Sequence, residues 1–198
     1  MPTDRSGFRV ARSRLELSYR LSTDDRVLEV DSGWSGFAQA NAAPGLDPEA
    51  VIGQPVWNFI SGEEVRALYR RLFDEVRLTE SGRSVSFRCD SPGEIRHMSL
   101  SIRPLPCGEL AIASSLVERL DREPVELLAN EGPRSDAMVS LCSWCKQVEC
   151  PDGQWLEIEQ SPWQGSEGAL PRVTHGICPD CEGMVATELD GLAPEAPS

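Results

Sequence analysis

The sequence predicts an α+β protein: a five-stranded antiparallel sheet with helices on one face, followed by a small zinc-ribbon-like module. Three observations support this fold class. Segments with strand-like alternation stand on both sides of a helical block, which is typical of one sheet covered by helices. One helix in that block carries a long apolar stripe. Two C-x-x-C pairs follow near the end of the chain.

The first element is a predicted β-hairpin. Apolar and polar residues alternate over 15–21, as they do in a half-buried strand. Asp24 and Asp25 then turn the chain, and Val27, Leu28 and Val30 begin the second strand.

The helical block comes next. Trp34, Phe37 and Ala38 recur at helical spacing, and Pro48 stands at the first position of another short helix. Ser61 and Glu64 match a capping box at the start of the longest helix. We expect its apolar stripe to consist of Val65, Leu68, Tyr69, Leu72, Phe73 and Val76.

Three further strands are predicted after this helix. Alternation over 84–89 and 97–102 predicts two strands around a Ser-Pro-Gly turn at 91–93. A turn over 104–108 leads to a last strand over 110–117. Together with the hairpin, these make the five predicted strands.

In this element order, residues 15–120 resemble a PAS domain. The stretch GQPVWNFI at 53–60 precedes the long helix, and three strands close the segment. FRCDSP at 87–92, followed by CSWCK at 142–146 and THGICPDC at 174–181, is similar to small bacterial PAS proteins that carry a C-terminal cysteine module. The resemblance implies a sensory or signalling role, a sheet with a helical cover, and a tendency to form homodimers.

The two C-x-x-C pairs predict a metal site. Cys142 and Cys145 form one turn, Cys178 and Cys181 form the other, and 32 residues separate the two. Four thiolates on two tight turns match the closed tetrahedral geometry of structural Zn²⁺, so we predict these cysteines as zinc ligands. The alternative is a set of free or redox-active thiols.

Two other residues near the cysteine pairs have open roles. His175 lies three residues before Cys178, where it would hydrogen-bond a ligating sulfur or replace one as ligand. Cys150 lies on a predicted hairpin near the first pair and is expected to be a spare thiol.

Composition and charge narrow the classes of function. Residues 1–120 carry 15 Arg and Lys against 17 Asp and Glu, whereas residues 121–198 carry 4 against 15. Nucleic-acid binding is therefore not expected, because it needs a basic face. No apolar run is long enough to span a membrane, and there is no signal peptide, so a cytoplasmic protein without a membrane partner is expected.

The predicted organisation has five parts. These are an N-terminal leader at 1–14, a PAS domain at 15–120, a linker at 121–138, a four-cysteine zinc-binding module at 139–185 and a disordered acidic tail at 186–198. In a PAS dimer, the leader and the linker would form flanking helices.

A small-molecule pocket in the first domain is left open by the sequence. Its candidate lining is Trp34, Phe37, Trp57, Phe59, Phe87 and Met98, which would equally form a filled core. His97 is expected to face away from this pocket, because it alternates with Met98, so haem binding through His97 is not expected.

We therefore predict a cytoplasmic PAS-type signal-transduction module whose structural zinc site mediates protein–protein interaction. The signalling partner is unknown. The chain lacks a phosphate-binding loop and a nucleophile elbow, so no enzymatic activity is expected. The alternatives are a redox sensor that uses the C-x-x-C thiols and a PAS receptor for a small molecule.

Overall fold

This computed structural model describes residues 16–40, 44–129, 132–163 and 169–190. The predicted leader at 1–14 lies outside the described residues, as does the part of the predicted tail from 191 to 198. In the described residues, every helix is too short or too polar to cross a lipid bilayer.

The first sheet has five antiparallel strands, as predicted. Its strands in spatial order run β2-β1-β5-β4-β3. Their bounds are β1 Glu16–Leu21, β2 Val27–Val30, β3 Arg83–Arg88, β4 Glu94–Pro104 and β5 Leu110–Asp121. The pairing of β1 with both β2 and β5 connects the N-terminal hairpin to the three later strands.

Three α-helices connect β2 to β3: α1 Trp34–Ala40, α2 Pro48–Val51 and α3 Glu63–Thr79. The predicted stripe of α3 is buried except for a partly exposed Tyr69. Its part from Leu68 to Val76 packs in one cluster with Val85, Leu100 and Ile102 of the sheet. Each fully buried apolar side chain stabilises such a core by about 1.5–3 kcal/mol.

The predicted capping box at the start of α3 is wrong. The helix begins after Gly62, and no side chain caps its first turn. Gly62 has a φ of +88°, and a Cβ at this position would lie 2.5 Å from the carbonyl oxygen of His175. The backbone of Gly62 therefore lies too close to the backbone of His175 for any residue with a side chain at position 62.

The C-terminal half forms a second sheet and a helix. The strands β6 Arg134–Cys142, β7 Val148–Glu149, β8 Trp155–Leu156 and β9 Leu170–Gly176 lie in the order β8-β7-β6-β9. β6 and β9 are parallel, a pairing that the zinc-ribbon-like prediction did not include. The helix α4, Pro179–Asp190, follows, so residues 186–190 are helical rather than part of a disordered tail.

Part of the predicted linker at 121–138 packs into a core. Val125 and Leu127 are buried in a second apolar cluster with Val139, Leu141 and Ile158. A short 3-10 turn, Glu126–Leu128, and the start of β6 occupy this segment, so the described residues contain no flanking α-helix there.

The two halves share one core. Cys142, Trp144, Cys178, Cys181 and Val185 of the C-terminal half belong to the same buried cluster as the α3 stripe and the first sheet. The cysteine-bearing segment therefore covers part of the first sheet.

An ion cluster around the buried carboxylate of Asp90 also links the halves; its other members are Arg88, Arg122, Glu157 and Glu159. The fully buried Asp90 carboxylate accepts hydrogen bonds from Arg88 at 2.5 Å and from Arg122 at 3.1 Å. Arg88 also donates to Glu157, and Arg122 to Glu159, each at 2.6 Å. Both arginines thus connect the first sheet to the segment around β8.

Candidate metal centre

The four cysteines of the C-x-x-C pairs lie together. The sulfurs of Cys142, Cys145, Cys178 and Cys181 all lie within 4.8 Å of one another. Cys145 is half-buried and the other three are buried. The sulfurs of Cys145 and Cys178 are 3.7 Å apart. This group can hold a metal ion.

The parallel pairing of β6 with β9 explains why the two pairs meet. Parallel strands end at the same edge of a sheet. Cys142 is the last residue of β6 and pairs with Gly176, the last residue of β9. Cys178 follows two residues later, so both cysteine pairs leave the sheet at one edge.

The first pair forms a tight turn at the end of β6. The amide of Lys146 donates to the carbonyl of Cys142 at 3.0 Å, and the amide of Cys142 donates to Gln147 at 2.8 Å. Lys146 closes the turn with a φ of +66°, which is uncommon for a residue with a side chain. Its ammonium donates to the carbonyl of Ser143 at 2.9 Å.

The second pair lies at the start of α4. Pro179 is the first helical residue, a position where the missing N–H costs nothing. The amide of Cys181 points to the sulfur of Cys178 at 3.4 Å, and the amide of Cys178 points to the sulfur of Cys142 at 3.4 Å. Such N–H donors stabilise thiolates.

The electrostatics of the four thiols favour a bound cation. Hydrogen bonds from Cys145 and Cys181 to the sulfur of Cys142 lower the pKa of Cys142. The hydrogen bond from Cys145 to Cys142 keeps the proton on Cys145 and raises the pKa of that thiol to about 12. The hydrogen bond from Cys181 to Cys142 likewise raises the pKa of Cys181. Four thiolates at these distances therefore need a positive ion to offset their repulsion. A four-sulfur set of this kind suits Zn²⁺ or iron.

His175 and Cys150 lie outside this group. His175 is an exposed residue of β9, and no hydrogen bond joins its imidazole to a sulfur of the described residues. Its backbone carbonyl is the atom that approaches Gly62. Cys150 is buried in the turn between β7 and β8, where its amide donates to Gln154 at 2.8 Å.

Trp144, between the first two cysteines, packs onto the first half of the chain, which the sequence analysis missed. Its ring lies 5.9 Å from Tyr69 and 6.3 Å from Phe87, and its carbonyl accepts from the amide of Arg88 at 2.7 Å. Its indole N–H has no hydrogen-bond partner among the described residues. A tryptophan inside a tight turn was the available signal, because such a ring rarely stays in water.

The candidate pocket residues do not come together in one place. Trp34 packs against Tyr19 at 5.7 Å, whereas Trp57 packs against Phe73 at the same ring distance. Phe59 lines a cavity of about 240 Å³ together with Trp144 and His175. The side chain of Phe37 lies outside the described residues.

The remaining two candidates, Phe87 and Met98, line a groove of about 390 Å³ beside Cys145 and Cys181. His97 lines the same groove, and β4 keeps its alternation here, with Met98 buried and His97 partly exposed. A β-bulge lies opposite these two residues: Met98 pairs with Leu116 and His97 with Glu118, so Val117 is the extra residue on β5.

Comparisons with known proteins do not assign the chain to a family. No family model matches the chain, and no curated protein matches it. Among solved structures, a domain of an HTR-like protein from Haloarcula marismortui is similar at 15% sequence identity and a TM-score of 0.37. The match covers 52% of this chain and 98% of that domain. A TM-score this low assigns neither fold nor function.

Proposed function

We propose that the chain is a cytoplasmic PAS-type signalling module whose C-terminal half binds Zn²⁺ at Cys142, Cys145, Cys178 and Cys181 and recognises another protein. The observation that carries the proposal is the group of four sulfurs within 4.8 Å, joined to the core of the first sheet. The order of elements supports the PAS assignment: two strands, helices ending in a long one, then three strands. No catalytic step is assigned to the chain.

The metal has a structural role in this proposal. When bound, Zn²⁺ supplies the positive charge that lets all four sulfurs be thiolates. The residues around it fix the sulfurs in place, through the turn at Lys146, the first turn of α4 and the packing of Trp144 on Tyr69. The shared core is the route by which a change in the first sheet would reach the surface of the cysteine-bearing segment in this proposal.

Metal analysis of the purified protein tests the proposal. We expect about one zinc per chain, lost in Cys178→Ser and kept in Cys107→Ser. Cys107 is the matched control, because it is an exposed cysteine outside the group. Wild-type protein that folds without metal, or equal metal content in both variants, contradicts the zinc assignment. Light scattering tests the homodimer that the PAS assignment implies.

A redox sensor is the second candidate, because one sulfur of the group is accessible. Cys145 is half-buried and lies 3.7 Å from Cys178. One peroxide molecule and two protons from solvent would convert these two thiolates to a disulfide and two waters, and the metal would be released. Zinc release that follows thiol loss under mild peroxide supports this candidate. A site that keeps its zinc under those conditions excludes it.

A further inference from the structure

A cavity of about 240 Å³ lies where the two halves of the chain meet. Six residues of its lining carry polar or aromatic side chains: Phe59, Ser61 and Tyr69 from the first half, and Ser143, Trp144 and His175 from the second. All of the lining residues belong to the described ranges. A molecule in this cavity would therefore contact α3, the turn of the first cysteine pair and β9 at the same time.

Five polar groups of this lining have no hydrogen-bond partner among the described residues. They are the hydroxyls of Ser61, Tyr69 and Ser143, the imidazole of His175 and the indole N–H of Trp144. Trp144 is only 3% exposed, so bulk water does not reach its N–H. The indole N–H of Trp34, by contrast, donates to the carbonyl of Leu46 at 2.6 Å. Because a buried donor without a partner is unfavourable, so many free polar groups around one cavity indicate an occupant that bonds to them.

The lining carries no formal charge at neutral pH. It contains no Asp, Glu, Lys or Arg. Partial burial and the nearby ammonium of Lys146 lower the pKa of His175, so its imidazole is neutral at pH 7. Burial raises the pKa of Tyr69 to about 12, so its hydroxyl keeps its proton and can donate. An ionised ligand would lose its hydration here without a charged side chain in the lining to pair with, which favours an uncharged one.

Aromatic rings form much of the wall of the cavity. The rings of Tyr69 and Trp144 lie 5.9 Å apart at an angle of 55°, and Phe59 adds a third ring. Such walls favour a flat apolar body. The volume of about 240 Å³ is below the roughly 300–1,000 Å³ of sites for drug-sized ligands, so the cavity suits a compound with one ring.

We propose that this cavity binds a small uncharged aromatic compound that carries a carbonyl oxygen. The ring of the compound lies among Phe59, Tyr69 and Trp144. Its carbonyl oxygen accepts hydrogen bonds from the indole N–H of Trp144 and the hydroxyl of Tyr69. The inference goes beyond the proposed function, because it requires neither a protein partner nor a particular metal ion.

NMR of the full-length protein with its bound metal tests this inference, and benzamide is the probe. The chain has five tryptophans and therefore five indole N–H signals. The signals of Trp144 and Trp34 are those lost in Trp144→Phe and Trp34→Phe. We expect benzamide to move the Trp144 signal to lower field, as a new hydrogen bond does. The Trp34 signal should not move, because that N–H is already bonded.

A pair of tyrosine variants tests the second hydrogen bond. Tyr69→Phe removes one donor and keeps the ring, so we expect benzamide to bind about three- to tenfold more weakly. Tyr19→Phe is the matched control, because Tyr19 is the other tyrosine of the chain, packs against Trp34 and does not line the cavity. It should bind benzamide with unchanged affinity. Equal affinity of Tyr69→Phe and the wild type would overturn the assigned contact.

Two relatives of benzamide test the class of ligand. Toluene keeps the ring without the oxygen, and benzoate has nearly the same shape with a negative charge. We expect each to bind at least about tenfold more weakly than benzamide. Toluene that binds as tightly as benzamide overturns the hydrogen-bonding role, and benzoate that binds as tightly overturns the preference for an uncharged ligand. If benzamide leaves the Trp144 signal unmoved, the cavity holds water only and the proposal is wrong.

Discussion

At the scale of single residues, Gly62 carries a contact that the sequence pattern does not show. Its backbone has a positive φ at the start of α3, and it lies against the carbonyl of His175 in β9. Both features exclude a side chain at this position. Gly36 in α1 is a useful contrast, because a Cβ there meets nothing within 4 Å.

We predict that Gly62→Ala destabilises the protein by about 2 kcal/mol or more, since it adds backbone strain to a clash with a carbonyl oxygen. Gly36→Ala should leave stability unchanged or raise it by up to about 1 kcal/mol, because alanine favours a helix interior. Urea unfolding of both variants measures the difference. A Gly62→Ala protein as stable as Gly36→Ala would show that α3 and β9 do not approach this closely.

The two tyrosines of the chain predict how stability changes at high pH. Burial raises the pKa of Tyr69 to about 12 and also raises the pKa of Tyr19. In the unfolded chain both phenols ionise near pH 10. Above that pH the unfolded state binds fewer protons than the folded state, so stability is complete below about pH 10 and falls as pH rises toward 12.

Phenolate absorbance at 295 nm, recorded together with circular dichroism, tests this prediction. Because the chain has no other tyrosine, we expect the phenolate signal to rise only where the secondary structure is lost. Phenolate formation near pH 10 in a protein with an intact spectrum would contradict the burial of these side chains.

At the scale of elements, local patterns predicted two kinds of element. One is a helix or strand with a strongly periodic apolar pattern, and the other is a strand whose partner lies near in sequence. The stripe from Val65 to Val76 and the alternation of β3 and β4 are of this kind. The pairing of β6 with β9 was not predictable, because parallel strands need no shared turn and leave no local signal. Val125 and Leu127 were assigned to a linker, since two apolar residues among acidic ones and prolines do not indicate a core.

The ion cluster around Asp90 is the polar link between these elements. Asp90 has no exposed side-chain surface and is held by Arg88 and Arg122. Removal of Asp90 takes away the one buried carboxylate that both arginines share, and breaking a buried ion pair in this way costs about 3–5 kcal/mol. The pair between Asp136 and Arg172 is a contrast, because its atoms are 3.5 Å apart and both side chains are exposed.

We therefore predict that Asp90→Ala destabilises the protein by about 3–5 kcal/mol and that Asp136→Ala has no measurable effect. Thermal or chemical unfolding of the two variants provides the comparison. Equal stability of both would mean that water reaches Asp90 and that the cluster does not link the halves.

At the scale of the whole molecule, the cysteine group is part of the principal core rather than an independent appendage. The sequence correctly indicated which cysteines would come together, because the C-x-x-C spacing is a local signal. It did not indicate that Trp144 would pack on Tyr69 and Phe87, since contacts of a covering surface depend on the complete fold. The expectation of a separate small module suggested that chelation would unfold the C-terminal part alone.

The shared core predicts a different result. Removal of the metal with a strong chelator should increase hydrogen exchange in β4 and β5 as well as in β6 and β9, in one cooperative transition, because Cys142 and Cys178 lie in the same cluster as Leu100 and Ile112. Mass spectrometry of exchanged peptides measures this. If exchange increases only in β6 and β9, the halves are independent despite their contact.

The position of Lys146 has a practical consequence. Lys146 is the only lysine of the chain, and its ammonium donates a hydrogen bond to the carbonyl of Ser143 within the first cysteine turn. Acylating reagents and amine-coupled sensor chips would therefore modify one side chain of this protein, at the edge of the sulfur cluster. Attachment through a terminal affinity tag avoids that damage, and acetylation of this lysine would act on the same turn inside a cell.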